Sequence, residues 1–206
     1  VDDFHALKKL PDDFGLAATD LEMRCYPVDD EPARQLSLYQ WFFEDSSILV
    51  LSKEAFDLTA DSPSTLKSKS VLLKPGLRMQ RNQFEDLLTA GGYIRNDRAD
   101  QVGEYAVRGD VIDIWLAGDE FPLRLTWNFD TLEALRIIDL GTQRSDDYKR
   151  EALLVPVTSG TEQNLLSVFP TGVKTYLYNF DQTDLKDIEQ KLPNSSLIQL
   201  VNEPNE

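Results

Sequence analysis

The chain has 206 residues, with 36 acidic and 21 basic side chains for a formal charge of −15, and 41% of its residues are hydrophobic. That is enough for one large domain or two small ones with packed cores. The acidic balance argues against direct DNA binding, which draws its affinity from Lys and Arg neutralising phosphates, and points to protein partners instead.

The single Cys25 and single His5 leave no internal disulfide framework, no ordinary zinc site within one chain and no histidine-based triad. A lone cysteine fits a reducing cytoplasm, where the protein is expected. No run approaches the roughly 20 apolar residues of a membrane span, and no signal-peptide pattern stands at the start. The chain begins with Val1 rather than Met, which fits either a fragment of a longer protein or a processed chain.

In chain order, Asp20–Pro27 reads as a strand ending at a proline. Glu31–Glu44 reads as a helix with Leu36, Leu38, Tyr39 and Phe42 or Phe43 on one face. Ser47–Leu51 is a short apolar run, as in a strand buried on both faces. Ser52–Leu58 reads as a short helix capped by Ser52. Thr59–Ser70, rich in Ser, Thr, Pro and Asp, reads as a linker.

A strand at Ser70–Lys74 stops at Pro75-Gly76. Asn82–Gly91 carries helix signals: Asn82 as cap, Glu85 reaching back, Gly91-Gly92 as terminator, and Phe84, Leu87 and Leu88 as the buried stripe. Tyr93 then opens a sheet. Near the end, Val173–Asn179, Thr183–Leu192 and Ser196–Val201 read as strand, helix and strand.

The most informative stretch is Gly103–Trp115, followed by Phe121–Trp127 and Leu132–Ile138. Each alternates, so they read as consecutive antiparallel strands. Arg108-Gly109-Asp110 supplies a turn with a glycine where φ turns positive. If Leu123, Leu125 and Trp127 face the core, then Arg124, Thr126 and Asn128 face solvent. Two arginines, Arg108 and Arg124, therefore stand on a rigid sheet, where a planar fork of donors makes a pre-organised anchor for a protein partner.

The string from Gly103 through the Asp139-Leu-Gly-Thr-Gln-Arg-Ser145 segment resembles the UvrA-binding domain shared by the excision-repair helicase UvrB and the bacterial transcription-repair coupling factors. The similarity runs upstream through Val71-Leu-Leu-Lys-Pro-Gly76 and Ala90-Gly-Gly-Tyr93. More weakly, it reaches Tyr26-Pro-Val-Asp-Asp30 and Ser46–Leu51, which resemble the non-catalytic first domain that brackets this module in coupling factors.

The resemblance implies a partial, degenerate RecA-like α/β layer, residues 1–66 and 158–206, interrupted by a mostly antiparallel UvrB-type interaction domain, residues 67–157. It is a mixed α/β and α+β fold. It also implies that Arg108, Arg124, Trp127 and Asn128 form a surface for UvrA. In the family an aromatic pair and a Gly-Asp-Glu turn follow the second arginine. Here Trp127-Asn128 stand for the pair and Phe129-Asp130-Thr131 for the turn. The Asn128 substitution carries the alternative reading, a diverged structural or autoinhibitory module. In the family another domain can cover this face, so an intramolecular partner in a longer parent is also expected.

Three other features carry bland readings. Glu104, Asp110 and Asp113 could suggest acid–base chemistry, but no histidine or second acid pair completes a site, so Asp110 reads as a turn residue and Asp113 as an exposed strand residue or an ion-pair partner. No Gly-x-x-x-x-Gly-Lys-Ser/Thr string is present, so ATP hydrolysis by this chain and a bound cofactor are not expected. Lys67, Lys69, Lys74, Arg78 and Arg81 lack interleaved aromatics and read as a solvated rim.

Overall fold

The computed structural model of the protein describes residues 22–44, 47–145, 147–160, 163–170, 174–178 and 197–201. The expected helix at Thr183–Leu192 and the lone His5 lie outside the described residues. Among the described residues no helix is long and apolar enough to cross a membrane.

Strand β1 (Glu22–Cys25) pairs in parallel with β2 (Ser47–Val50), joined through helix α1 (Glu31–Phe43). Asp30 starts α1 by accepting the Ala33 N–H at 2.9 Å, with Pro32 inside the first turn, where its missing donor costs nothing. Its buried face is Gln35 and Leu38, narrower than expected, and Leu49 and Val50 of β2 are half-buried. Among the described residues β1 and β2 form a two-stranded sheet.

Two expectations before the central domain fail. Ser52 makes no side-chain cap, and Lys53–Asp57 forms a 3-10 turn, not an α-helix. The expected linker is folded: α2 (Pro63–Ser68) starts where Ser62 accepts the Thr65 N–H at 3.2 Å with Pro63 at the first helical position. Leu66 is fully buried at its centre. Polar composition suggested a loop, whereas Ser-Pro at this spacing is a helix start.

Strand β3 (Val71–Leu73) pairs antiparallel with β9 (Ala152–Leu154), bringing the two ends of the central domain together. Helix α3 (Arg81–Ala90) begins at Gln80, whose N–H donates to Gln83 Oε1 at 3.2 Å. Asn82 is thus inside the helix, and Glu85 pairs with Arg81 and Arg95 instead of reaching back. Phe84 and Leu88 are fully buried, as their spacing requires.

The main sheet has the order β4 (Ile94–Arg95), β5 (Glu104–Arg108), β6 (Val111–Ile114), β7 (Leu123–Asn128), β8 (Thr131–Ile137). It is antiparallel except that β4 runs parallel to β5. Gly109, at φ +59, closes the β5–β6 hairpin in the conformation that favours glycine. Leu123, Leu125 and Trp127 face the core with Ile112, Ile114 and Leu135. This alternation is the one the sequence shows.

A second core gathers Tyr26, Leu38, Phe56, Leu66, Leu165 and Phe169, drawing on residues before the central domain and on a 3-10 turn at Leu165–Val168 after it. The rings of Trp41 and Phe169 meet at 4.8 Å. Between the cores, Ser159 N–H donates to Glu31 Oε1 at 2.7 Å, and buried Asp61 holds Lys69 at 2.8 Å and the Gly160 N–H at 3.2 Å. Both chain crossings are therefore pinned at one place. Strands β10 (Lys174–Tyr178) and β11 (Leu197–Val201), at the two strand positions expected there, pair in parallel.

Two buried phenols make the fold sensitive to alkali. Tyr93 donates to the Val155 carbonyl at 2.9 Å, and burial first, then the nearby Asp119 charge, raises its pKa above the ordinary phenol value. Burial pushes Tyr26 up to about 12 against the pull of Arg34. A phenol in the unfolded chain ionises near ~10. Both folded values lie above that, so the contribution is complete below about pH 10 and is lost as pH rises through the folded values. Urea unfolding is expected to show stability falling above about pH 10, and less steeply in a Tyr26→Phe/Tyr93→Phe variant. An identical alkaline fall in the variant would remove these phenols as the cause.

A candidate protein-docking face

The outer face of the main sheet is set by register. One row runs Ala106–Asp113–Arg124–Arg136 across β5 to β8, and the next runs Arg108–Val111–Thr126–Ala134. Together these rows carry three arginines against one acid. The row positions follow from the pleat, because each of these residues alternates with a core-facing neighbour.

Asp113 sits at the centre, its side chain only 6% exposed. Arg124 grips it with two parallel bonds, Nε to Oδ1 at 2.7 Å and Nη2 to Oδ2 at 2.8 Å. Its remaining nitrogen, Nη1, donates weakly to Ser145 Oγ at 3.4 Å. These bonds to Asp113 first, opposed by desolvation, hold the Arg124 pKa above its ordinary value. The guanidinium is thus locked, 23% exposed, with its plane fixed by the carboxylate.

Arg108 is placed differently. Its side chain is 52% exposed, with Nη1 3.9 Å from Asp113 Oδ2 and Nη2 donating to the Asp97 carbonyl at 3.0 Å. It is a positioned but accessible cation. Arg136, which the sequence reading passed over, lies 4.7 Å over the ring of exposed Tyr148 and donates to its hydroxyl at 2.7 Å. Its signal was its place on β8, hidden by a bulge in the β7–β8 pairing that sets Trp127 opposite Leu132 and breaks simple alternation.

The structure keeps Arg108, Arg124 and Asn128 on this face, and Asn128 is exposed. Trp127 does not belong to it. The indole is 4% exposed on the opposite side, 5.0 Å from the Phe84 ring, with Nε1 donating to the Met79 carbonyl at 3.0 Å. A strand shows successive residues to opposite faces, so Trp127 and Asn128 cannot both serve the same surface.

The other singled-out groups are engaged separately. Glu104 accepts from Asn96 at 2.7 Å and from the Asp100 and Gln101 N–H groups at 3.0 and 3.1 Å. Asp110 is exposed in its turn, as expected, and Asp113 is the ion-pair partner, buried where exposure was the other expectation. Among the basic cluster, Lys69 holds Asp61, Lys67 lies over the Phe43 ring and Arg81 bonds the Gly109 carbonyl.

Residues 71–159 match the UvrB interaction domain family. The chain is 28% identical over 124 residues to the transcription-repair-coupling factor of Escherichia coli, covering 60% of this chain and 11% of that protein. It is 30% identical over 126 residues to that of Rickettsia typhi, covering 61% of this chain and 11% of the relative. With the UvrABC system protein B of Chlorobium limicola it shares 30% identity over 104 residues, 49% of this chain and 15% of that protein. It therefore spans a small part of each. The match places the antiparallel sheet and the buried α3 stripe inside a segment, 71–159, that is similar to the UvrB interaction domain.

Proposed function

We propose that this chain is a protein-docking module of a nucleotide-excision or transcription-coupled repair factor, and that the outer sheet face recruits UvrA. One observation carries the reading: Arg108, Arg124 and Arg136 share a rigid sheet with a single buried acid among them, on a chain whose overall charge is −15. A cationic face on an acidic molecule favours an acidic partner surface and steers its approach. Arg108 is the accessible contact, and Asp113 with Arg124 fixes the platform beside it. In this reading the docking domain runs over residues 67–157, with 1–66 and 158–206 forming a separate α/β layer. The two cores support two units, with the boundary at 66/67 falling inside α2 (Pro63–Ser68). The role is adaptor chemistry in the cytoplasm, without catalysis of its own.

A second reading, a diverged structural or autoinhibitory module covered by another domain of a longer parent, draws on two observations. Two of the Arg124 donor atoms are already taken by Asp113, and polar Asn128 stands where the family has an aromatic.

Calorimetric titration of the chain with purified UvrA distinguishes them. The docking reading expects binding that weakens with salt and falls about tenfold in Arg108→Ala, with Tm unchanged because the side chain is half exposed. Wild-type binding equal to that of Arg108→Ala removes the face as the contact. No binding by the folded wild type favours the second reading.

A further inference from the structure

Phe129 stands in the turn between β7 and β8 at φ +55, in the left-handed region that disfavours bulky side chains. Its ring is 96% exposed. Glycine or asparagine would suit this turn better, and the ring adds nothing to either core. An exposed aromatic in a disfavoured conformation points to a role outside the fold.

The turn is rigidly presented. Met79 N–H donates to the Asp130 carbonyl at 2.7 Å, Arg78 bridges to Thr131, and the Trp127 indole ties the Met79 carbonyl from below. Phe129 also lies at the Arg108 end of the face. The Trp127 N–H donates to the Asp110 carbonyl at 2.9 Å, which sets the Gly109–Asp110 and Phe129–Asp130 turns side by side. Asn128, exposed on the arginine face, is the next residue in the chain.

We propose that Phe129 is the apolar anchor of the docking face, its ring entering an apolar pocket of the same acidic partner that takes the arginines. This rests on the UvrA reading above and adds the contact that Asn128 does not supply. Continuity with the arginine face fixes the partner. Asp130 follows Phe129 in the chain and is exposed, and the Asp110 carboxylate of the adjoining turn lies 3.8 Å from Arg81, so the pocket's rim meets charges of both signs there while the surface facing Arg108 is acidic.

The test titrates UvrA against the full chain and the variants Phe129→Gly, Asn128→Ala and Arg108→Ala, with Tm and sedimentation measured for each. Phe129→Gly removes the ring and the conformational penalty together. It is expected to weaken binding by about tenfold or more while Tm stays level or rises, and Asn128→Ala is expected to bind like the wild type. If Phe129→Gly binds like the wild type while Arg108→Ala is weakened, the anchor is wrong and the face stands. If the wild type does not bind, or neither variant is weakened, both fall. A clear loss of Tm in Phe129→Gly makes the ring a structural element, and self-association abolished by the same change makes a second copy its occupant. Either result overturns the proposal.

Discussion

Trp127→Ala is expected to lower the stability of the sheet domain by about 3–5 kcal/mol, the range for deleting a buried large aromatic. The indole packs on Phe84 and its N–H satisfies the Met79 carbonyl, so the change opens a cavity and leaves an unpaired acceptor together. The Met79 segment also ladders onto the β7–β8 hairpin through Asp130, so that turn should loosen as well. Urea unfolding checks the stability loss. Trp127→Phe should recover most of the packing but not the hydrogen bond. A Trp127→Ala protein as stable as the wild type, yet defective in UvrA binding, would return this residue to the docking face.

Asp113→Ala should cost about 2–3 kcal/mol. Removing one partner of a fully buried ion pair costs about 3–5 kcal/mol, because the other charge is left uncompensated. Arg124 keeps 23% of its side chain in water, which places the expectation lower. The loss comes from the pair, so a cycle with Arg124→Ala should show a coupling of about 1–3 kcal/mol. Additive single changes would mean that the fork does not organise the sheet. Asp113→Ala should also weaken partner binding, since Arg124 loses its fixed plane and Arg108 the carboxylate near it.

The sheet was legible because a period of two over Leu123-Arg-Leu-Thr-Trp127 leaves a single choice of inner face. The UvrB-type domain was legible because the stretch from Gly103 to Ser145 that carries the resemblance lies within the matched residues 71–159. What could not be read was register. Asp113 meets Arg124 only because β6 and β7 pair at that offset, and one strand alone does not reveal its neighbour's alignment. The bulge in the β7–β8 pairing concealed Arg136 for the same reason. Trp127 was placed on the docking surface by analogy with an aromatic pair, although its own alternation put it in the core. At α2, polar composition outweighed a valid Ser62-Pro63 helix start.

The most direct test of the docking account is hydrogen exchange of the chain, alone and with saturating UvrA. The account predicts slowed exchange at the Gly109–Asp110 and Asn128–Thr131 turns and around Tyr148, where the arginine face meets solvent, with α1 and the Leu165–Val168 turn unchanged. Slowing confined to α1 and the second core, with both sheet turns unaffected, would contradict it.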